Sequence, residues 1–237
     1  MPHEQMNEQQ VASYLKMDAR EVVKLSCRGQ IPCRKVGGKF VYHKGDVDHW
    51  VEAQMHQMDK RRLRDIEKGV SDHHGIDHGE LLVGPMIPEG GLAVPLDAKT
   101  HSAVIPALVA LADKAGLVYN RDELVASIEA REELCSTAMM PKVAIPHPRR
   151  PLPHDIAASF VVAGLTFSGL PFGAEDGSLT RLFFLICCKD ERTHLHVLAR
   201  LAGMLVRPGA TDELLACADE PQLRDHLLAM EEAALKG

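Results

Sequence analysis

The sequence predicts a layered α/β domain from about residue 92 onward, preceded by a small unit of helices and a hairpin. In the later part, strand-length apolar segments alternate with amphipathic helical periods, which is typical of α/β layers. The two parts also differ in charge. Residues 1–70 carry 13 Lys and Arg against 10 Asp and Glu, whereas the remaining residues carry 14 against 23. We therefore expect two units with different partners.

The composition limits the class of protein. With 237 residues and 46% hydrophobic content, the chain can form one large or two modest cores. It contains no apolar run of about 18 residues, so we expect no transmembrane helix. Its polar N-terminus does not resemble a signal peptide, and the six cysteines show no disulfide framework. These features favour a cytoplasmic protein.

The first unit covers residues 7–58 and begins with two helices about three residues apart. Each has a capping-box pair at its start, Asn7 with Gln10 and Asp18 with Glu21. A Gly-Gly pair within residues 34–42 then predicts a hairpin, and a last helix is expected from Asp46 to about Met58. This order of elements is that of a winged helix-turn-helix.

Basic residues are concentrated on the second helix and the hairpin of this unit: Arg20, Lys24, Arg28, Arg34, Lys35 and Lys39. The text NEQQVASYLKMDAREVVKLSCRGQIPCRKVGGKFVYHKGDVDHWV, within residues 5–58, resembles the excisionase/MerR-like winged helix-turn-helix family. The resemblance implies DNA binding through residues 18–28 and the hairpin, with these six residues contacting DNA. The alternative is a small helical module that binds protein.

Residues 67–80, EKGVSDHHGIDHGE, show no apolar period and are rich in Gly and His, which indicates a linker. His73, His74, Asp77 and His78 have the residue types of a metal site, but Gly75 and Gly79 argue against a helix that would bring them together. We therefore expect a solvated linker without a metal. The predicted domains are residues 1–66, a linker at 67–80, and 81–237.

Helices and strands alternate after the linker. Amphipathic periods indicate helices at 100–115, 120–131, 194–205, 212–218 and 222–234. Residues 157–165 read as a strand, and the continuous apolar run at 181–188 reads as a strand covered on both faces.

Two of the thirteen histidines carry the candidate chemistry. His147 lies between two prolines that fix its backbone, directly after a short predicted strand at 143–145. A neutral imidazole is a good nucleophile near pH 7. The Pro-His-Pro segment alone is more typical of an ordinary surface loop. His194 opens a helix, and the free N–H groups of a helix N-terminus suit a phosphate.

Residues 81–235 resemble the enzyme IIA domains of the phosphotransferase system, fructose/mannitol class, and the nitrogen-regulatory type in particular. Three segments in the same order carry the resemblance: AREELCSTAMMPKVAIPHPR, LPFGAEDGSLTRLFFLICC and THLHVLARLAGML. The resemblance implies an α+β sandwich, in which a mixed sheet is flanked by helices.

It also implies a reaction. A phosphorylated histidine carrier protein, HPr or its nitrogen-branch counterpart, would dock and pass its phosphoryl group in line to His147. His194 would lie across from His147 and hydrogen-bond the phosphate, and Arg131 would neutralise its charge. Neither a metal nor an organic cofactor is needed. The hypothesis requires these three side chains to lie close together, with His147 not sealed inside the core.

One departure from the family pattern lies just before His147. A glycine-bearing loop is usual there, whereas this chain has residues 138–142, AMMPK. Ser136 and Thr137 keep hydroxyl groups and Lys142 adds a positive charge, so we expect these three residues beside the phosphate. Loss of the glycines can alter donor docking or the transfer rate, because glycine lets a backbone approach a ligand closely.

Three functions fit the sequence. The chain can be a phosphocarrier fused to a DNA-binding module, in which phosphorylation of His147 adjusts DNA or partner binding. It can be a plain sugar-transport component that passes the phosphoryl group to a IIB protein. It can also be a transcription regulator whose second domain only senses or binds partners. A two-fold homodimer also fits a protein that reads DNA.

Overall fold

The computed structural model describes residues 4–75, 79–138 and 140–236, and Asp77 and His78 lie outside these ranges. Its N-terminal unit contains three short strands and three helices: β1 (Gln5–Met6), α1 (Glu8–Tyr14), α2 (Ala19–Cys27), β2 (Arg34–Val36), β3 (Lys39–His43) and α3 (Lys44–Gln54). The strands form an antiparallel sheet in the order β1-β3-β2. The predicted helix-turn-helix and hairpin are confirmed.

Local signals in the sequence explain the ends of these elements. Asn7 accepts the N–H of Gln10, and the Gln10 side chain accepts the N–H of Asn7, so the capping box of α1 forms as predicted. Asp18 caps α2 by accepting the N–H of Arg20. The turn between β2 and β3 consists of Gly37 and Gly38, both at positive φ, which a two-residue hairpin turn needs.

The next element is a 15-residue helix, α4 (Lys60–His74), where residues 67–74 are predicted to be irregular. Leu63, Ile66 and Val70 are buried at helical spacing, so an apolar face does continue into the predicted linker. Gly69 lets α4 lie against α1, since a Cβ atom there would be 2.1 Å from the carbonyl oxygen of Tyr14. Gly75 ends the helix in the left-handed conformation.

The remaining described residues form a mixed sheet with five α-helices. The elements are β4 (Leu92–Ala93), α5 (His101–Lys114), α6 (Arg121–Leu134), β5 (Val143–Ala144), β6 (Phe160–Pro171), β7 (Leu179–Cys187), α7 (Glu191–Leu205), α8 (Ala210–Leu215) and α9 (Glu220–Lys236). The strand order is β4-β6-β7-β5, with an antiparallel central pair and parallel outer pairs. The predicted α+β sandwich is confirmed.

Strand β7 is covered on both faces, as its apolar run predicts. Phe183 and Leu185 pack with the buried side chains of α5 and α6, whereas Phe184 and Ile186 pack with those of α7 and α9. The cluster on the α7 face also includes the apolar residues of the N-terminal unit and of α4. The N-terminal unit therefore shares a continuous core with one face of the sandwich. No helix in the described ranges is long and apolar enough to cross a membrane.

Candidate functional site

The sheet topology brings the two candidate histidines together. His147 follows β5, and His194 lies in the first turn of α7, which follows β7. Strands β5 and β7 are parallel neighbours, so their carboxyl ends lie at the same edge of the sheet. Backbone hydrogen bonds from Ile145 N to Thr137 O (3.0 Å) and from Ile186 N to Pro146 O (3.1 Å) fix the segment before His147.

The two imidazole rings are neighbours, with centroids 5.1 Å apart and planes inclined by 53°. Nδ1 of His147 donates to the carbonyl oxygen of Ile145 at 2.8 Å, because a carbonyl can only accept. Nε2 is thereby left with its lone pair, and it has no hydrogen-bond partner among the described residues. Burial lowers the pKa of His147, although contact with the Glu52 carboxylate opposes the shift. The imidazole is accordingly neutral at pH 7.

The third predicted group, Arg131, lies in the last turn of α6. Its Nη1 donates to the carbonyl oxygen of Cys135 at 2.7 Å, which holds the guanidinium in place. The positive charge of Arg131 is among the influences that lower the pKa of His147. The guanidinium is thus near enough to act on a charge placed at that imidazole.

A glutamate from the N-terminal unit covers both rings. Glu52 of α3 lies with Oε1 3.4 Å from Nε2 of His194 and with Oε2 3.8 Å from Nε2 of His147. His147 is only 1% exposed and Glu52 only 4%, so the expectation that His147 would not be sealed is wrong for this arrangement, in which α3 of the N-terminal unit covers the ring. Burial alone would raise the pKa of Glu52, but the two histidines outweigh it and hold the pKa well below its usual range. His147 is therefore covered by an ionised carboxylate of another unit.

Sequence analysis missed Glu52. A glutamate on an amphipathic helix is ordinarily solvated, and nothing in its spacing indicates a contact 95 or more residues away. A second contact lies beside it, where Nε2 of His49 meets the carbonyl oxygen of Arg149 at 2.9 Å. Helix α3 thus faces the segment that holds His147.

The three residues predicted beside the phosphate have other partners. Ser136 donates to the carbonyl oxygen of Phe172. Thr137 is fully buried, and its N–H and Oγ1 both bind the carboxylate of Glu132, at 2.8 and 2.6 Å. Lys142 is exposed and pairs with Asp212 at 3.0 Å. These contacts position the segment before β5, and a direct role at the phosphate remains a prediction.

The six basic residues predicted to contact DNA are all exposed on α2, just after it, and on the hairpin: Arg20, Lys24, Arg28, Arg34, Lys35 and Lys39. None of them belongs to the contact with His147. Their face of the N-terminal unit therefore stays open while α3 covers the histidine pair.

Comparisons with known proteins agree with this architecture. The family described as "Phosphoenolpyruvate-dependent sugar phosphotransferase system, EIIA 2" matches residues 87–230, and a helix-turn-helix domain family matches residues 6–55. The fructose-specific EIIABC component of the phosphotransferase system of Bacillus subtilis is 30% identical over 132 residues. That match covers 55% of this chain but 20% of the relative, so the chain spans about a fifth of the relative's length.

Two solved structures share the fold. The nitrogen regulatory protein IIA-Ntr of Neisseria meningitidis is 21% identical with a TM-score of 0.56, covering 62% of this chain and 99% of its own. The IIA mannitol protein of Escherichia coli, solved in complex with phosphorylated IIB mannitol, is 21% identical with a TM-score of 0.51, covering 59% and 95%. With the family match over more than half of its length, the chain belongs to the EIIA 2 family of the phosphotransferase system and carries a helix-turn-helix domain in front.

Proposed function

We propose that this chain is a phosphohistidine carrier that receives a phosphoryl group on Nε2 of His147 from an HPr-like histidine phosphocarrier protein. We further propose that it acts in regulation through its DNA-binding domain, in the cytoplasm. The observation that carries the proposal is the state of His147, whose Nδ1–H is held by a carbonyl while Nε2 keeps its lone pair. A nucleophile must be unprotonated at the attacking atom.

The transfer needs little covalent chemistry from the protein. The lone pair of Nε2 forms a new P–N bond while the P–N bond of the donor breaks, and the electron pair of that bond returns to the donor imidazole. His194 and the Arg131 guanidinium then supply hydrogen bonding and positive charge around the transferred group. Residues 81–237 would form the phosphocarrier domain.

The cover over His147 favours a regulatory carrier over a plain transport component. A donor protein can reach His147 only after α3 withdraws, because Glu52 lies against both rings. Once phosphorylated, His147 would carry about two negative charges beside the Glu52 carboxylate. At a separation of 4 Å, each pair of like charges repels by about 4 kcal/mol at an effective dielectric constant of 20. Phosphorylation of His147 would therefore disfavour the arrangement in which Glu52 covers it, and that arrangement would in turn slow phosphorylation.

The N-terminal unit that covers His147 also carries the proposed DNA-binding face. Helix α2 and the hairpin keep their basic side chains exposed while Glu52 covers the site, so the unphosphorylated chain is expected to bind DNA. Displacement of the N-terminal unit on phosphorylation would then change how this face is presented. A homodimer that reads a two-fold DNA site is part of the same proposal.

Radioactive phosphoenolpyruvate, enzyme I and HPr supply the direct test. The wild-type chain should take up one acid-labile, base-stable phosphoryl group, and His147→Ala should take up none. His154→Ala is the matched control, because this histidine is exposed in the loop that follows and should not change labelling. A wild-type chain that stays unlabelled, or a fully labelled His147→Ala variant, would reject the carrier function.

A further inference from the structure

The cluster over His147 has the composition and dimensions of a metal site. The carboxylate of Glu52 and ring nitrogens of His147 and His194 each offer one ligand atom, and these atoms all lie within 4.8 Å of one another. In a tetrahedral zinc site, bonds of about 2.0–2.2 Å place the ligand atoms roughly 3.3–3.6 Å apart. Nε2 of His194 lies 3.4 Å from Oε1 of Glu52 and Nε2 of His147 lies 3.8 Å from Oε2, so small side-chain movements would bring one carboxylate oxygen and the two nitrogens to that spacing.

The hydrogen bonding around the cluster also suits a metal. Nδ1–H of His147 donates to the Ile145 carbonyl, an arrangement that orients metal-binding histidines, and the buried Nε2 has no hydrogen-bond partner in the described residues. The contacts between Glu52 and the two rings are longer than the roughly 2.7–2.9 Å of charge-assisted hydrogen bonds. A cation between these groups would replace the long contacts with direct bonds to the buried carboxylate.

We propose that Glu52, His147 and His194 bind a divalent transition-metal ion, with zinc the best fit, and that the ion holds α3 over His147. Two imidazoles and one carboxylate suit zinc better than magnesium or calcium, which prefer sites made entirely of oxygen ligands. Three protein ligands leave a fourth position for water. The positive charge of Arg131 disfavours a cation here, but the Glu52 carboxylate, which is in direct contact with the rings, offsets it.

The ion would compete with a phosphoryl group, since both need the lone pair on Nε2 of His147. This consequence rests on the proposed function, whereas the binding of the ion does not. Because one ligand comes from the N-terminal unit and two from the sandwich, the ion would join the two parts of the chain.

Calorimetric titration of the chelator-treated full chain with zinc tests the site. We expect one tightly bound ion per chain, a cobalt(II) complex with the visible absorption of a tetrahedral site, and no competition by magnesium. Disturbing a residue that only orients a ligand commonly weakens metal affinity about 10–100-fold. Loss of a ligand itself in Glu52→Gln, His147→Ala or His194→Ala should therefore weaken zinc binding by about 100-fold.

A variant with both His73→Ala and His74→Ala is the control, because these neighbouring histidines lie outside the cluster. It should bind zinc like the wild type. Thermal unfolding in chelator, compared with the wild type, shows whether each ligand variant is folded. No stoichiometric zinc binding, or unchanged affinity in folded Glu52→Gln and His147→Ala, would overturn the proposal. Failure of zinc binding with normal phosphoryl labelling would reject this inference alone, and the reverse result would reject only the carrier function.

Discussion

His194 and His196 lie two residues apart on α7, and each meets a glutamate from the N-terminal half of the chain, but the two contacts differ in kind. Nε2 of His196 lies 3.2 Å from Glu67 and 3.3 Å from the hydroxyl of Ser71, and Glu67 also accepts from Arg200 at 2.5 Å. Glu52, by contrast, makes longer contacts, 3.4 Å to Nε2 of His194 and 3.8 Å to Nε2 of His147. The contact of Glu67 consists of short, shared hydrogen bonds. The contact of Glu52 is longer, and an incoming phosphoryl group or ion could replace it.

The contact of Glu67 with His196 and Arg200 is part of a larger buried network. Arg200, which is 2% exposed, donates to Glu67, to the carbonyl oxygen of Glu80 and to Glu231. Glu231 also accepts the backbone N–H groups of Leu82, Val83 and Gly84. Buried charges of this kind are strongly destabilising when one partner is removed. The network therefore fixes α4, α7 and α9 together, and we expect the largest effects from breaking it.

Glu231→Gln should lower the free energy of unfolding by about 3–5 kcal/mol. It removes one of the two carboxylates that pair with the buried guanidinium, and it also places an amide NH₂ among three backbone N–H donors that the carboxylate accepts. Glu232→Gln is the control, since the neighbouring glutamate makes only an exposed pair with Lys236 and should change stability by no more than about 0.5 kcal/mol. Urea denaturation measures both. Equal midpoints for the two variants would contradict the assigned role of the network.

Glu67→Gln should have a smaller effect, about 1.5–3 kcal/mol, because Arg200 keeps Glu231 as a partner. It should also accelerate amide hydrogen exchange in α4, since it weakens the polar contacts of that helix with α7. Lys68→Gln changes an exposed neighbour and is the control. Exchange in α4 that does not respond to Glu67→Gln would show that apolar packing alone fixes the helix.

Sequence reasoning predicted the fold better than the site. Alternating apolar segments, capping residues and the Gly37–Gly38 turn are local signals, and the elements they predict are present. His147, His194 and Arg131 were predicted from a resemblance, and the parallel pairing of β5 and β7 explains why the two histidines meet. Glu52 and Glu67 could not be predicted, because their roles depend on how the N-terminal unit packs against α7. The helical part of residues 67–74 was missed because the stretch 67–80 is rich in Gly and His, and within it Val70 alone continues the buried spacing of Leu63 and Ile66.

Glu52→Gln should lower the free energy of unfolding at pH 7, because the depressed pKa of Glu52 means that its ionised carboxylate is favoured in the folded chain. It should nevertheless accelerate phosphoryl labelling of His147 by about tenfold in zinc-free buffer, the factor that ~1.4 kcal/mol supplies. The reason is that the incoming phosphoryl group no longer meets a negative charge. Glu52→Asp keeps the charge and should label at about the wild-type rate. Identical labelling rates in all three proteins would show that Glu52 does not restrain the transfer.

The smallest effects are expected on the DNA-binding face, which lies apart from both contacts. Lys24→Ala should weaken DNA binding uniformly across sequences and reduce the slope of log affinity against log salt concentration by about 1, since one phosphate contact is lost. Lys99→Ala, an exposed lysine of the sandwich domain, should change neither quantity. Unphosphorylated Glu52→Gln should bind DNA like the wild type, because Glu52 contributes no charge to the exposed face of α2. Gel-shift titrations at several salt concentrations measure these slopes. If the Lys24→Ala slope equals that of the wild type, Lys24 does not contact DNA phosphates. A protein partner, rather than DNA, would then have to distinguish the two states of His147.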